Sequence, residues 1–120
     1  MRSRALFPAL VMACLGFTAL PEALAENQSN PAARAANIAR IRAESLNGGL
    51  GVYRPASCMH ERGGGACLVE SGSEGFMFRF FGGVPGWQQL GKPPTVETEI
   101  LVAPDAQSIL RVIYNGPPRN

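Results

Sequence analysis

A β-hairpin predicted for residues 95–114 constrains the fold more than any other stretch of the sequence. In its first arm, residues 95–102, alternation along a strand puts the good β-formers on one face: Val96, Thr98, Ile100 and Val102. Pro104 and Asp105 favour a turn before the second arm, residues 109–114. A three-residue loop at 105–107 pairs Val102 with Leu110, Ile100 with Val112, and Thr98 with Tyr114. This register predicts an antiparallel sheet with one apolar face.

Phenylalanines in strict alternation predict another strand at residues 76–81. Phe76, Phe78 and Phe80 share one face, and we expect them to form the core layer beneath the hairpin and a helix. The opposite face of the sheet also carries apolar side chains: Met77, Phe81, Leu101 and Ile113. Either the helix covers them or they form a patch for a partner or a second copy.

A helix over residues 31–46 is predicted by its start and stop signals. Asn30 is a strong N-cap residue, and Pro31 is favoured at the first helical position. Asn47-Gly48-Gly49 provides the left-handed stop. Helical spacing puts an apolar stripe opposite an Arg40–Glu44 ion pair: Ala35, Ile38, Ile41, Ser45 and Leu46. Because the stripe is thin, the helix must dock on the sheet to be stable.

The predicted fold is therefore α+β, with one N-terminal helix packed on an antiparallel meander of about four strands. The domain spans residues 31–116, between a flexible segment at 26–30 and a tail at 117–120. Residues 82–94 are predicted to form a long irregular loop, because seven of these thirteen residues are Gly or Pro.

Residues 1–25 have the pattern of a cleaved signal peptide. Arg2 and Arg4 precede an apolar run, and Ala23-Leu24-Ala25 forms a small-residue cleavage site. An alternative reads residues 11–14 as a lipobox with a lipidated Cys14, although the apolar run continues past that cysteine. We expect an exported chain in the periplasm, a lumen or the medium, with no stable membrane insertion after cleavage.

Cleavage leaves Cys58 and Cys67 as the only thiols. An even pair in an exported chain predicts a disulfide. Closing this ten-residue ring stabilises the fold by about 2–3 kcal/mol on the chain-entropy model.

The charge balance excludes some classes of partner. From residue 26 onward there are nine Lys/Arg and eight Asp/Glu residues, a net charge of +1. Without a basic stripe or a cationic amphipathic helix, we expect neither nucleic-acid binding nor binding to a membrane surface.

The disulfide loop contains the only histidine, in the sequence His60-Glu61-Arg62. One histidine and one adjacent carboxylate do not supply the three or four ligands of a zinc site, so we expect no metal and no cofactor. The functional interpretation is an acid–base pair, and the simpler one is a solvated polar loop. Glu97 and Glu99 share a strand face and resemble a catalytic carboxylate pair, but we favour an exposed face balanced by Arg79 and Arg111.

A second candidate surface is the loop that contains Trp87, Gln88, Gln89 and Leu90. A lone tryptophan among Gly, Pro and Gln is typical of a presented binding loop, and tryptophan is enriched at interface hot spots. The alternative, which we favour, is that the ring folds back to cap the phenylalanine layer.

Several short segments together resemble a group of small exported proteins in cyanobacterial genomes: Asn47-Gly48-Gly49-Leu50, Tyr53-Arg54-Pro55-Ala56-Ser57-Cys58-Met59, Phe81-Gly82-Gly83-Val84-Pro85-Gly86-Trp87 and Val112-Ile113-Tyr114-Asn115-Gly116-Pro117-Pro118. The resemblance covers most of the chain after residue 25. It implies an exported compartment and no particular activity.

We therefore expect a non-catalytic exported domain that binds another envelope or secreted protein through the Trp87 loop and the disulfide loop. The alternative is a small enzyme that uses His60 and Glu61. It requires His60 to lie within hydrogen-bond reach of Glu97, Glu99 or a backbone oxyanion site.

Overall fold

The computed structural model describes Gly16 and residues 30–119. Apart from Gly16, the predicted leader and the lipobox at Cys14 lie outside these residues, as do residues 26–29 and Asn120. Within residues 30–119 the chain forms one α-helix and a five-stranded antiparallel sheet: α1 (Pro31–Leu46), β1 (Arg54–Pro55), β2 (Leu68–Gly72), β3 (Gly75–Gly83), β4 (Val96–Val102) and β5 (Ile109–Gly116). The predicted α+β class is confirmed.

The sheet is a meander with one added strand. Strands β2, β3, β4 and β5 pair in sequence order, and the two-residue strand β1 pairs with the far end of β3. The predicted loop at 82–94 therefore starts too early, because Gly82 and Gly83 belong to β3. Their missing side chains make room for two buried rings, Tyr53 against Gly82 and Trp87 against Gly83.

Helix α1 has the predicted bounds but a different buried face. The Asn30 side chain accepts a hydrogen bond from the Ala33 backbone N–H at 3.2 Å, as an N-cap does. The predicted stripe is only partly right: Ala35 is buried and Ile38 packs against the core, but Ile41 and Leu46 are exposed. The core side of the helix is made of alanines: Ala33, Ala35, Ala36, Ala39 and Ala43. Because the sheet contributes large rings, the helix packs closely only through small side chains.

The core lies between α1 and one face of the sheet. Phe78, Phe80, Ile100 and Val102 are buried there against the alanines, as the alternation of phenylalanines predicted. Met59 and Cys67 belong to the same core, and a disulfide joins Cys58 to Cys67 with the Cα atoms 5.8 Å apart. The predicted disulfide is therefore present.

The hairpin of β4 and β5 contains two β-bulges that the sequence pattern did not predict. Ile100 lies opposite Val112 as expected, but Val102 lies opposite Ile109 and Thr98 opposite Asn115. Leu110 and Ile113 are the extra residues, and both side chains are exposed. A bulge adds one residue to one strand and so shifts the alternation of its side chains.

A buried polar network fastens the end of α1 to this hairpin. The Asn47 and Asn115 side-chain amides exchange hydrogen bonds at 3.1 and 3.0 Å, and the Thr98 hydroxyl donates to the Asn115 oxygen at 2.7 Å. The same Asn47 amide donates to the Ala43 carbonyl at 2.7 Å. The network satisfies polar groups that are otherwise costly to bury.

Candidate functional site

The sheet face opposite α1 is not covered by the helix, and we call it the open face. Cross-strand pairing places Met77 beside Leu101, Arg79 beside Glu99, and Phe81 beside Glu97 on this face. Phe81 is 41% exposed. The helix therefore does not cover the apolar residues that the sequence assigned to this side.

Two glutamates at the centre of the open face share a single arginine from beyond β5. Arg119 donates from Nε to Glu97 Oε2 at 2.7 Å and from Nη2 to Glu99 Oε2 at 2.7 Å. Its backbone N–H donates to Glu97 Oε1 at 3.0 Å. Arg79 lies 3.6 Å from the other Glu99 oxygen.

This ion cluster corrects the predicted charge balance. Arg79 does pair with Glu99, but Arg111 lies opposite Leu101 and the second cation is Arg119. Glu97 is 4% exposed, although the sequence placed it on a solvated strand face. Residues 117–119 are therefore held against the sheet, where a free tail was predicted.

The contacts of Arg119 set the protonation of the cluster. Burial opposes ionisation of Glu97, but the hydrogen bonds and charge of Arg119, together with the charge of Arg79, outweigh it and lower the pKa of this carboxyl. Hydrogen bonds to Glu99 and Glu97 raise the pKa of the Arg119 guanidinium. Glu97 therefore stays ionised and bound to a cation.

Tyr114 aligns the segment that carries Arg119. Its hydroxyl donates to the Pro117 carbonyl at 2.5 Å, and its ring lies 3.9 Å beneath the Arg119 guanidinium carbon. A guanidinium stacked on an aromatic face gains a cation–π interaction. In the sequence, only the stiff Pro117-Pro118 pair before Arg119 indicates this arrangement, and that pair lies in the predicted tail.

The disulfide loop is only partly exposed, whereas a solvated polar loop was the simpler interpretation of its sequence. His60, Glu61 and Arg62 are exposed as expected, but Gly64 is buried against the Phe78 ring, with φ of +85°. The triple glycine therefore allows a close approach of the loop to the core. A single turn at Ser57–His60 precedes it, with Met59 buried beneath.

The Trp87 side chain is buried at 8% exposure, and its ring N–H donates to the Arg54 carbonyl at 3.0 Å. The ring folds back on its own chain, over β1 and Gly83 and away from the phenylalanine layer that we expected it to cap. Gln88 accepts a hydrogen bond from the Ser57 backbone N–H at 2.7 Å. Gln89 and Leu90 are exposed.

The two predicted loops meet in one shallow groove, which we call the loop groove. Its lining comes from both loops and β1: Arg54, Pro55, Ser57, His60, Pro85, Gly86, Trp87, Gln88 and Gln89. No Asp or Glu belongs to that lining, and Glu97 lines a different groove on the open face, together with Arg79, Phe81 and Arg119. Within residues 30–119 the His60 side chain has no hydrogen-bond or ion-pair partner, so the geometry required for an acid–base pair is not present there.

Neither a metal centre nor a membrane span was found in the described part of the chain. No group of three or more potential metal ligands occurs there. No helix in this part combines the length and apolar character needed to cross a bilayer.

Comparisons of the chain with protein-family models, curated proteins and solved structures find no match.

Proposed function

We propose that this protein is a non-catalytic exported domain that binds another protein of the same compartment through the open face of its sheet. The exposure of Phe81, in a sheet whose other face is buried beneath α1, is the observation that carries the proposal. The Cys58–Cys67 disulfide is compatible with export, because such bonds persist in oxidising compartments. The resemblance to small exported proteins favours the same compartment.

The composition of the open face fits a protein interface. Aromatic residues, methionine and arginine are enriched at interfaces relative to the rest of a protein surface. The open face carries all three kinds, in Met77, Arg79, Phe81, Tyr114 and Arg119. Ile113 adds an apolar side chain at the second bulge of β5, 38% exposed.

The loop groove supports binding less well. The ring of Trp87, which was the expected anchor, is already buried against Arg54 and Gly83. Gln88 is also engaged, since it accepts a hydrogen bond from Ser57. The enzyme alternative has no support from this groove, because His60 meets no carboxylate in it.

Affinity capture from an envelope extract tests which surface binds the partner. It compares the unmodified chain with two variants. Phe81→Ala removes the exposed ring from the open face without adding a charge beside Glu97, and His60→Ala is the matched change in the loop groove. Both side chains are exposed, so we expect both variants to retain the circular dichroism spectrum of the unmodified chain. We expect a protein captured by the unmodified chain to be retained by His60→Ala and lost with Phe81→Ala. Loss with His60→Ala alone would refute the open face as the binding surface.

A further inference from the structure

Glu97, Glu99 and Tyr114 together bind the guanidinium group of Arg119, and we call these three residues the arginine socket. The two carboxylates bind two different nitrogens of Arg119, and the Tyr114 ring lies against the face of the same group. A guanidinium is planar and presents several N–H donors in fixed directions, so one arginine makes all these contacts at once. A lysine ammonium is a compact point charge and does not reproduce this pattern.

The segment that carries the occupant of the socket lies outside the strand ladder. Strand β5 ends at Gly116, so residues 117–119 add no rung to the β4–β5 ladder. Their remaining contacts are the Tyr114 hydroxyl on Pro117 and the bonds of Arg119 to Glu97 and Glu99. The Arg119 side chain is still 39% exposed. Departure of Arg119 from the socket would therefore break no backbone pairing of the sheet.

The socket itself is built into the sheet. Glu97 and Glu99 lie on β4, the strand that pairs with both β3 and β5. The Glu97 side chain is only 6% exposed, and an unpaired buried carboxylate is costly. A departing Arg119 must therefore be replaced by another cation of similar shape.

We propose that the arginine socket recognises an arginine side chain in an extended, proline-containing segment of the partner protein, and that Arg119 occupies it until the partner arrives. The inference rests on the proposed function, since it names the partner chemistry for the same open face. The segment known to fit is the chain's own Gly-Pro-Pro-Arg at residues 116–119. Because Arg119 is tethered to the socket, it competes with a partner's arginine at a millimolar effective concentration. Removing the Arg119 side chain therefore exposes the socket.

A binding assay with a synthetic peptide tests this proposal. The probe is fluorescent Gly-Pro-Pro-Arg amide, and the control is the same peptide with uncharged citrulline in place of arginine. We expect the Arg119→Ala chain to bind the arginine peptide about tenfold or more tighter than the unmodified chain does. The citrulline peptide should bind neither chain, and adding Glu97→Gln to Arg119→Ala should abolish the gain. Equal affinities of the two chains, or equal binding of the two peptides, would overturn the proposal.

Two further measurements decide the remaining outcomes. If Arg119→Ala does not fold, millimolar arginine peptide is added to the unmodified chain while the Tyr114 ring resonances are followed by NMR. Shifts that the citrulline peptide does not produce support the socket, and their absence refutes it.

Sedimentation then tests for a dimer that dissociates in Arg119→Ala. Such a dimer would mean that Arg119 fills the socket of a second copy, which overturns the assignment to a different protein.

The outcomes separate this inference from the proposed function. If capture depends on Phe81 but Arg119→Ala does not bind the peptide more tightly, only the arginine-socket proposal is refuted. If Arg119→Ala binds the peptide but capture is unaffected by Phe81→Ala, the open-face interface is refuted and the socket remains as a ligand site.

Discussion

Replacing Gly82 by alanine tests the packing of the β1 end of the sheet. Gly82 lies on β3 opposite Pro55, with the buried ring of Tyr53 against its backbone. A β-carbon at this position would lie 2.5 Å from Tyr53 Cζ, which is closer than real contacts allow. The backbone of Gly82 is outside the left-handed region, so the cost comes from this collision and not from backbone strain.

The expected cost lies between two physical limits. Forcing an extra carbon into a packed core costs about 1–3 kcal/mol when neighbours shift. Expelling the Tyr53 ring, which is 2% exposed, would cost about 3–5 kcal/mol, as for other large-to-small aromatic changes. We therefore expect Gly82→Ala to lower the free energy of unfolding by about 2–4 kcal/mol, or the melting temperature by roughly 10–30 °C for a domain of this size.

Urea unfolding followed by circular dichroism measures this difference against a matched control. Gly72 ends β2 at the surface, and a β-carbon there would have no atom within 4 Å. We expect Gly72→Ala to change stability by less than about 0.5 kcal/mol. In a Tyr53→Ala background, Gly82→Ala should cost close to nothing, which gives a coupling energy of about 2 kcal/mol or more.

Two results would refute this reasoning. One is equal stability of the Gly82→Ala and Gly72→Ala chains. The other is a Gly82→Ala cost that persists unchanged after Tyr53→Ala, since the collision partner is then absent.

Three further predictions concern buried polar groups. Asn115→Ala should lower the free energy of unfolding by about 1–3 kcal/mol in urea titrations, because it leaves the Asn47 amide and the Thr98 hydroxyl without their partner; an unchanged midpoint would contradict this. The folded-state pKa of Glu97 is lowered below its unfolded value of about 4.3, so its contribution to stability is complete above that pH and is lost as the pH falls through the lowered value. In thermal melts, the melting temperature should therefore fall less steeply with decreasing pH for Glu97→Gln than for the unmodified chain. Burial raises the pKa of the Tyr53 phenol to about 12, so one tyrosinate absorbance step should appear near that pH and be absent in Tyr53→Phe, and stability should fall as the pH rises from about 10 through 12.

The helix and the phenylalanine strand were predictable because their signals are local. Asn30 caps the third helical N–H, and the glycines after Asn47 adopt positive φ within a few residues of the last turn. Phe78 and Phe80 alternate on one strand and point to one face. The pairing of Cys58 with Cys67 followed from the count of cysteines outside the predicted signal peptide.

The candidate site was not predictable in the same way, because its contacts join distant parts of the chain. Arg119 binds Glu97 across 22 residues, and the Trp87 ring binds the Arg54 carbonyl across 33. The bulge at Ile113 moves Tyr114 opposite Glu99, where its ring meets Arg119. Alternation predicts none of this, since it assumes one residue against one residue along the ladder.

The sequence alone determined the class of fold, the bounds of α1, the face that the alternating phenylalanines bury and the disulfide. The first three depend on neighbouring residues, and the disulfide depends on the small number of cysteines. Only the tertiary structure decided which helix face is buried, where Trp87 lies and which cation neutralises Glu97. The physical reason is that packing selects partners by shape and charge across the whole domain. The alanines of α1 are buried because the sheet already supplies the large rings, and Glu97 is tolerated in a buried position because Arg119 returns to pair with it.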